Sequence, residues 1–166
     1  AMPLAAIDIG SNALRLLIAE APPAAEEAAT YTRLNFLRIP LRLGSDVFDS
    51  GVISEAKTAD FVDAIKAFSL LMHLHRVSHY RACATSAMRD AKNGAQVIES
   101  ARAATGIAIE VISGDEEATL LYEALTALAP DKGMPCLFID VGGGSTEITL
   151  FARHEMRFRH SFNIGA

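Results

Sequence analysis

Ile7-Asp8-Ile9-Gly10-Ser11-Asn12, near the start of the chain, recurs in altered form as Ile139-Asp140-Val141-Gly142-Gly143-Gly144-Ser145 near its end. Each copy reads as a short apolar strand, an Asp at its end, a glycine-bearing turn and a second strand. The copies align without gaps over Ile7–Ile18 and Ile139–Leu150. Glycine lets a turn reach positive φ and approach a ligand closely, and successive N–H groups in such a turn form a concave anion nest. The Asp leaving each strand is placed to hold a hard cation that bridges phosphate oxygens. A single copy is read equally well as a plain glycine hairpin turn. Two copies in one chain point to a pair of phosphate clamps facing each other across a cleft.

Composition narrows the classes. At 166 residues, 51% of them hydrophobic, the chain has room for one domain and little more. A net charge of −5 argues against a broad nucleic-acid surface. It leaves room for an anionic substrate, because backbone amides, a metal and a few arginines bind phosphate on an otherwise acidic protein. No window is apolar over the ~18 residues of a membrane span, and no basic leader precedes the first strand. The expectation is a cytoplasmic protein with neither nucleic acid nor membrane as partner. Cys83 and Cys136 lie far apart in strand-like runs, which suits two reduced core thiols.

Strands are expected at Leu4–Ile9, Leu14–Glu20 and Leu34–Leu43, with a surface excursion between Ala21 and Thr30 and a turn-rich segment bracketed by Gly44 and Gly51. From Ser54, a fitting N-cap, Phe61, Ile65, Phe68 and Met72 recur at helical spacing. A strand at Tyr80–Ala84, a helix at Gly94–Thr105, a strand at Ile107–Ile112 and a helix from Asp115 to Ala129 follow. The last segments, Pro135–Val141, Ser145–Phe151 and Met156–Phe162, read as a strand meander. The Pro130–Pro135 stretch is the best boundary, dividing a domain at 1–130 from the beginning of a second at 131–166. Some thirty residues of strand rarely hold together alone, so the second domain is expected to be incomplete and open to exchange between chains as a homodimer.

Seven residues after each repeat Asp comes a charged side chain, Arg15 after Asp8 and Glu147 after Asp140. Strand alternation sets Arg15 opposite Leu14, Leu16 and Ile18, and Glu147 opposite Thr146, Ile148 and Leu150. Both charges then point toward the open side of the loops, or are simply solvated strand residues. Ser113-Gly114-Asp115-Glu116-Glu117 opens a helix as a capping box with acidic residues at the positive end of the dipole. Thr85-Ser86-Ala87-Met88-Arg89 follows a strand, where hydroxyls and an arginine meet phosphate or make an ordinary strand-to-helix turn. His73, His75 and His79 lack the geometry for one metal, and His154 and His160 have no partner spacing.

These stretches, with Leu43-Gly44, Ala84-Thr85-Ser86-Ala87-Met88-Arg89 and Ser113-Gly114-Asp115-Glu116-Glu117-Ala118, resemble the exopolyphosphatase and guanosine-pentaphosphate phosphatase family of the actin/Hsp70/sugar-kinase superfamily. The resemblance covers nearly the whole chain. It implies an α/β fold: an actin-like ATPase (ribonuclease H-like) domain with a mixed sheet and flanking helices, plus the first strands of a similar domain. It further implies Mg2+ held by Asp8, Asp140 and Glu147, Glu117 as general base, and Arg15 and Arg89 near the phosphate chain. Gly10, Ser11, Asn12, Gly142, Gly143, Gly144, Ser145 and Thr146 would form the two phosphate loops. The segment Ser45-Asp46-Val47-Phe48 lacks the acidic-glycine pair common in the family. The expected activity is magnesium-dependent release of terminal phosphate from inorganic polyphosphate or guanosine pentaphosphate. An actin-like-fold kinase and a non-catalytic polyphosphate or alarmone sensor are the alternatives, and this stretch alone is expected to be inactive.

Overall fold

The computed structural model describes residues 2–21, 31–128, 134–142, 146–152, 155–162 and 164. The excursion after Ala21 and residues 130–133 of the expected boundary lie outside them. The chain divides into two compact units, Ala1–Val111 and Ile112–Ala166.

The first unit is built on a mixed sheet. Strands β1 (Pro3–Ile9), β2 (Leu14–Glu20), β3 (Thr32–Ile39), β4 (His79–Ala84) and β5 (Glu110–Val111) run in the order β3-β2-β1-β4-β5. The β1–β2 and β2–β3 pairs are antiparallel, whereas β1–β4 and β4–β5 are parallel. Alternation decides the faces: Ile7, Ile9, Leu14, Leu16 and Ile18 are buried, while Arg15 and Leu17 on the other face are exposed.

Against the buried face lie α2 (Glu55–Leu74) and α4 (Gly94–Thr105). Helix α2 starts where Ser54 accepts a hydrogen bond from the Lys57 N–H, and it sends Phe61, Ile65, Phe68 and Met72 into the core. Helix α4 contributes Val97 and Ala101 and stops at Gly106, whose φ of 74° is a left-handed cap.

The turn-rich segment expected between Gly44 and Gly51 is instead a helix, α1 (Leu43–Ser50), capped by Gly51 at φ 75°. Its Gly, Ser and Asp residues are poor helix formers, so tertiary bonds hold it. Asp46 accepts from Lys57 Nζ at 2.6 Å and from the Ser54 N–H at 3.0 Å. The Lys57 ammonium, with Ser54, pulls the Asp46 carboxyl from its ordinary 3.8 to about 2. A depressed carboxyl stabilises the fold above its unfolded pKa and loses that contribution as pH falls through the folded one. Asp46→Asn is therefore expected to cost about 1 kcal/mol near neutrality, as a partly exposed pair does. In urea unfolding of both proteins, that gap should close as the pH drops from 3.8 toward about 2.

The short α3 (Ser86–Asp90) follows β4 directly, and the expected strand at Ile107–Ile112 shrinks to β5, which pairs only with Cys83 and Ala84 at the end of β4.

The second unit comprises α5 (Gly114–Leu128) and a three-stranded antiparallel sheet, β6 (Cys136–Val141), β7 (Thr146–Ala152) and β8 (Glu155–Phe162), in that order. Tyr122 of α5 stacks on Phe151 of β7 with ring centroids 4.0 Å apart. That contact ties the helix to the strands that follow it, in the unit that begins at Ile112, while the sequence reading divides the chain at 130. Leu137, Ile139, Val141 and Phe158, which alternation places on the sheet's other face, are all more than half exposed. Cys83 and Cys136 are not joined in a disulfide and lie half-buried in β4 and β6. Among the described residues no helix is long and apolar enough to cross a membrane.

Candidate active site

Three motifs that stand far apart in sequence meet at the first glycine loop. Thr85 N–H donates to the Ile9 carbonyl at 3.1 Å, Gly44 N–H to the Ser11 carbonyl at 2.9 Å, and Arg42 N–H to the Asn12 carbonyl at 3.0 Å. The Ser11 and Ser86 hydroxyls lie 2.7 Å apart. The loop is thus fastened from one side by the start of α1 and from the other by the start of α3, at the end of the parallel strands β1 and β4. Gly44 makes the first contact sterically feasible, since a Cβ there would lie 2.8 Å from the Ser11 Cβ. Arg89 follows Ser86 within the same short helix.

The loop's glycine does not take the positive φ expected of it. Gly10 is not among the positive-φ residues; Arg42, at φ 53°, is. A Cβ at Gly10 would meet only the Ala13 carbonyl, at 3.4 Å. The strained left-handed backbone sits instead at Arg42, whose N–H bonds the Asn12 carbonyl.

Asp8 and Arg15 face each other across β1 and β2, and Arg15 Nη1 donates to Asp8 Oδ2 at 2.6 Å. Both side chains are nearly half exposed, so the pair stands accessible on the sheet's outer face.

In the second unit Asp140 and Glu147 are direct partners across β6 and β7. Two carboxylates opposite each other repel, and a residue absent from the sequence reading offsets one of them. Arg159 on β8 donates to Glu147 Oε2 at 3.0 Å and to Asp115 Oδ1 at 3.1 Å. Asp140 has no partner among the described residues. Arg159 thereby ties the first turn of α5 to the strand bearing Glu147. Gly114 lies over the guanidinium, where a Cβ would sit 3.0 Å from Arg159 Nη2. The capping reading of this turn holds in part: Ser113 Oγ accepts from the Glu116 N–H at 3.2 Å. Glu117 is half-buried on the same turn, its N–H bonded to the Ser113 carbonyl.

Thr146 uses its hydroxyl proton on the Ile164 carbonyl at 2.5 Å. Gly142 is described, but Gly143, Gly144 and Ser145 lie outside the described residues. Among the described residues no group of three or more His, Cys, Asp or Glu side chains is arranged to hold a metal ion. Within the first unit Asp8 is thus joined to Arg15, and within the second Glu147 is joined through Arg159 to Asp115 at the start of α5.

The chain belongs to the Ppx/GppA phosphatase family, whose model matches residues 25–166. It is 35% identical over 169 residues to exopolyphosphatase 2 of Mycobacterium tuberculosis, covering 98% of this chain and 52% of that protein. It is 28% identical over 161 residues to a guanosine-5'-triphosphate,3'-diphosphate pyrophosphatase of Aeromonas hydrophila, covering 97% of this chain and 31% of that one. The crystal structure of an exopolyphosphatase from Cytophaga hutchinsonii superposes with a TM-score of 0.86 at 29% identity, over 99% of this chain and 51% of its own. The chain thus spans about half the length of the first of these relatives. Its architecture is the actin-like one.

Proposed function

We propose that the protein to which this chain belongs is a magnesium-dependent phosphoanhydride hydrolase that releases terminal phosphate from inorganic polyphosphate or guanosine pentaphosphate. The observation that carries the reading is the bridge through Arg159. It sets the helix start bearing Glu117 beside the strand bearing Glu147, whose cross-strand partner is Asp140. Family membership and the names of the relatives support the same chemistry.

Asp8, Asp140 and Glu147 offer only carboxylate oxygens, a donor set that suits Mg2+. When bound, the ion would neutralise charge on the phosphoryl oxygens. The remaining work falls to the chain. Backbone N–H groups of the glycine loops grip the terminal phosphates, and Arg15 and Arg89 offset their charge. Glu117 orients the attacking water and takes its proton. Phosphoryl transfer passes through a loose transition state, so positioning and charge neutralisation supply most of the acceleration.

The test is a phosphate-release assay on the full-length protein with both substrates, with and without magnesium. Release without any acceptor, lost on chelation, is expected. Tight binding with no release would replace the hydrolase by a sensor, and a strict need for an acceptor would replace it by a kinase.

A further inference from the structure

The strand register of the first unit aligns Asp8, Arg15 and Arg38 in one row across β1, β2 and β3, near the loop end of the hairpin. Asp8 answers Arg15. Nothing answers Arg38: it is exposed, directly opposite Arg15, and without a partner among the described residues. Like charges directly opposite on neighbouring strands are disfavoured in a sheet; Asp8 offsets Arg15, and no described residue offsets Arg38. Four residues on, Arg42 is bent into the left-handed region with its N–H on the Asn12 carbonyl, and its guanidinium is likewise unpartnered among the described residues. The end of β3 therefore brings two uncompensated guanidiniums to the rim of the first loop. Planar, permanently charged forks of this kind are suited to phosphate oxygens.

Position within the sheet says which phosphates. Asp8 lies on the central strand, whereas Arg38 lies on the edge strand two places away, about 10 Å at ordinary strand spacing. We propose that Arg38 is a subsite for phosphoryl groups of a long polyanion beyond those held at the first loop, with Arg42 beside it on the path to that loop. The inference rests on the phosphoanhydride hydrolase reading above. It adds a means of distinguishing long chains from short ones.

The test compares wild type, Arg38→Gln and Arg38→Lys in the full-length protein, with long-chain polyphosphate and tripolyphosphate as probes. Steady-state KM is measured for each, together with calorimetric binding in chelator and the thermal midpoint. Arg38→Gln is expected to raise KM and weaken binding for the long chain by about tenfold, the worth of one charged hydrogen-bonding contact. Tripolyphosphate should change little, and Arg38→Lys should recover part of the loss. Equal losses on both probes would overturn the proposal. So would an unchanged KM with a lowered thermal midpoint, which would mean that Arg38 pairs with a carboxylate elsewhere in the whole protein. If wild type binds the long chain but releases no phosphate, the hydrolase reading fails and the binding curves still decide Arg38. If wild type binds neither probe, both fall.

Discussion

Glu117→Gln in the full-length protein should lower kcat for phosphate release by about 10²–10⁴-fold, the range that a positioned general base supplies. Glutamine keeps the length and the hydrogen-bonding reach of glutamate but cannot take the water's proton. The fold should tolerate the change. The Glu117 N–H keeps its bond to the Ser113 carbonyl, and Ser113 still caps through the Glu116 N–H. One negative charge leaves the first turn of α5, at a cost of about 0.3–1 kcal/mol against the dipole, while Asp115 and Glu116 remain there. Single-turnover kinetics, with binding of tripolyphosphate measured in parallel, separates a chemical defect from a binding one. Wild-type turnover in the variant would remove Glu117 from the mechanism.

Gly94→Ala should destabilise the protein by about 3 kcal/mol or more, at or beyond the usual range for overpacking. A Cβ at this position would lie 2.1 Å from the Met88 carbonyl oxygen and 3.2 Å from its carbonyl carbon. The obstruction is backbone, so no rotamer change relieves it. The gain in helix propensity from glycine to alanine, about 1 kcal/mol, has the opposite sign and is outweighed. Gly106→Ala is the useful contrast: nothing lies within 4 Å of its Cβ, and the cost comes only from φ +74°, about 1 kcal/mol. Urea unfolding of the two variants ranks these effects directly. Displacing Met88 would also move the short helix that holds Ser86 and Arg89. If Gly94→Ala proves as mild as Gly106→Ala, the α3–α4 junction is softer than its geometry indicates.

The parts of the fold legible in the sequence were those in which side-chain period and burial agree. Leu14, Leu16 and Ile18 alternate with Arg15 and Leu17, and the strand follows. Ser54 caps and Gly106 stops their helices as local rules dictate. Helix α1 was hidden because its stability lies outside its own residues, in Gly44 against Ser11 and Asp46 against Lys57. The candidate site divides in the same way. The Asp8–Arg15 and Asp140–Glu147 pairings follow from aligning two hairpins, since each charged residue stands seven places after its Asp. Arg159 and Arg38 had no such signal. Arg159 reaches Glu147, and Arg38 comes opposite Arg15, through strand register, which depends on pairing between segments and leaves no mark in either segment alone. Alternation in β3 does place Arg38 opposite Leu37 and Ile39, but its facing of Arg15 emerges only from the pairing.

Gly114 and Arg159 claim the same few cubic ångströms, and the guanidinium is pinned on one side by Asp115 and on the other by Glu147. A methyl group at 114 would have to push against a side chain that two carboxylates hold in place. The two positions are therefore epistatic: a larger residue at the first is admissible once the second is shortened. Deviations from the Ser-Gly-x-Glu-Glu pattern in other chains should be scored together with the residue that takes the place of Arg159, and never one position at a time.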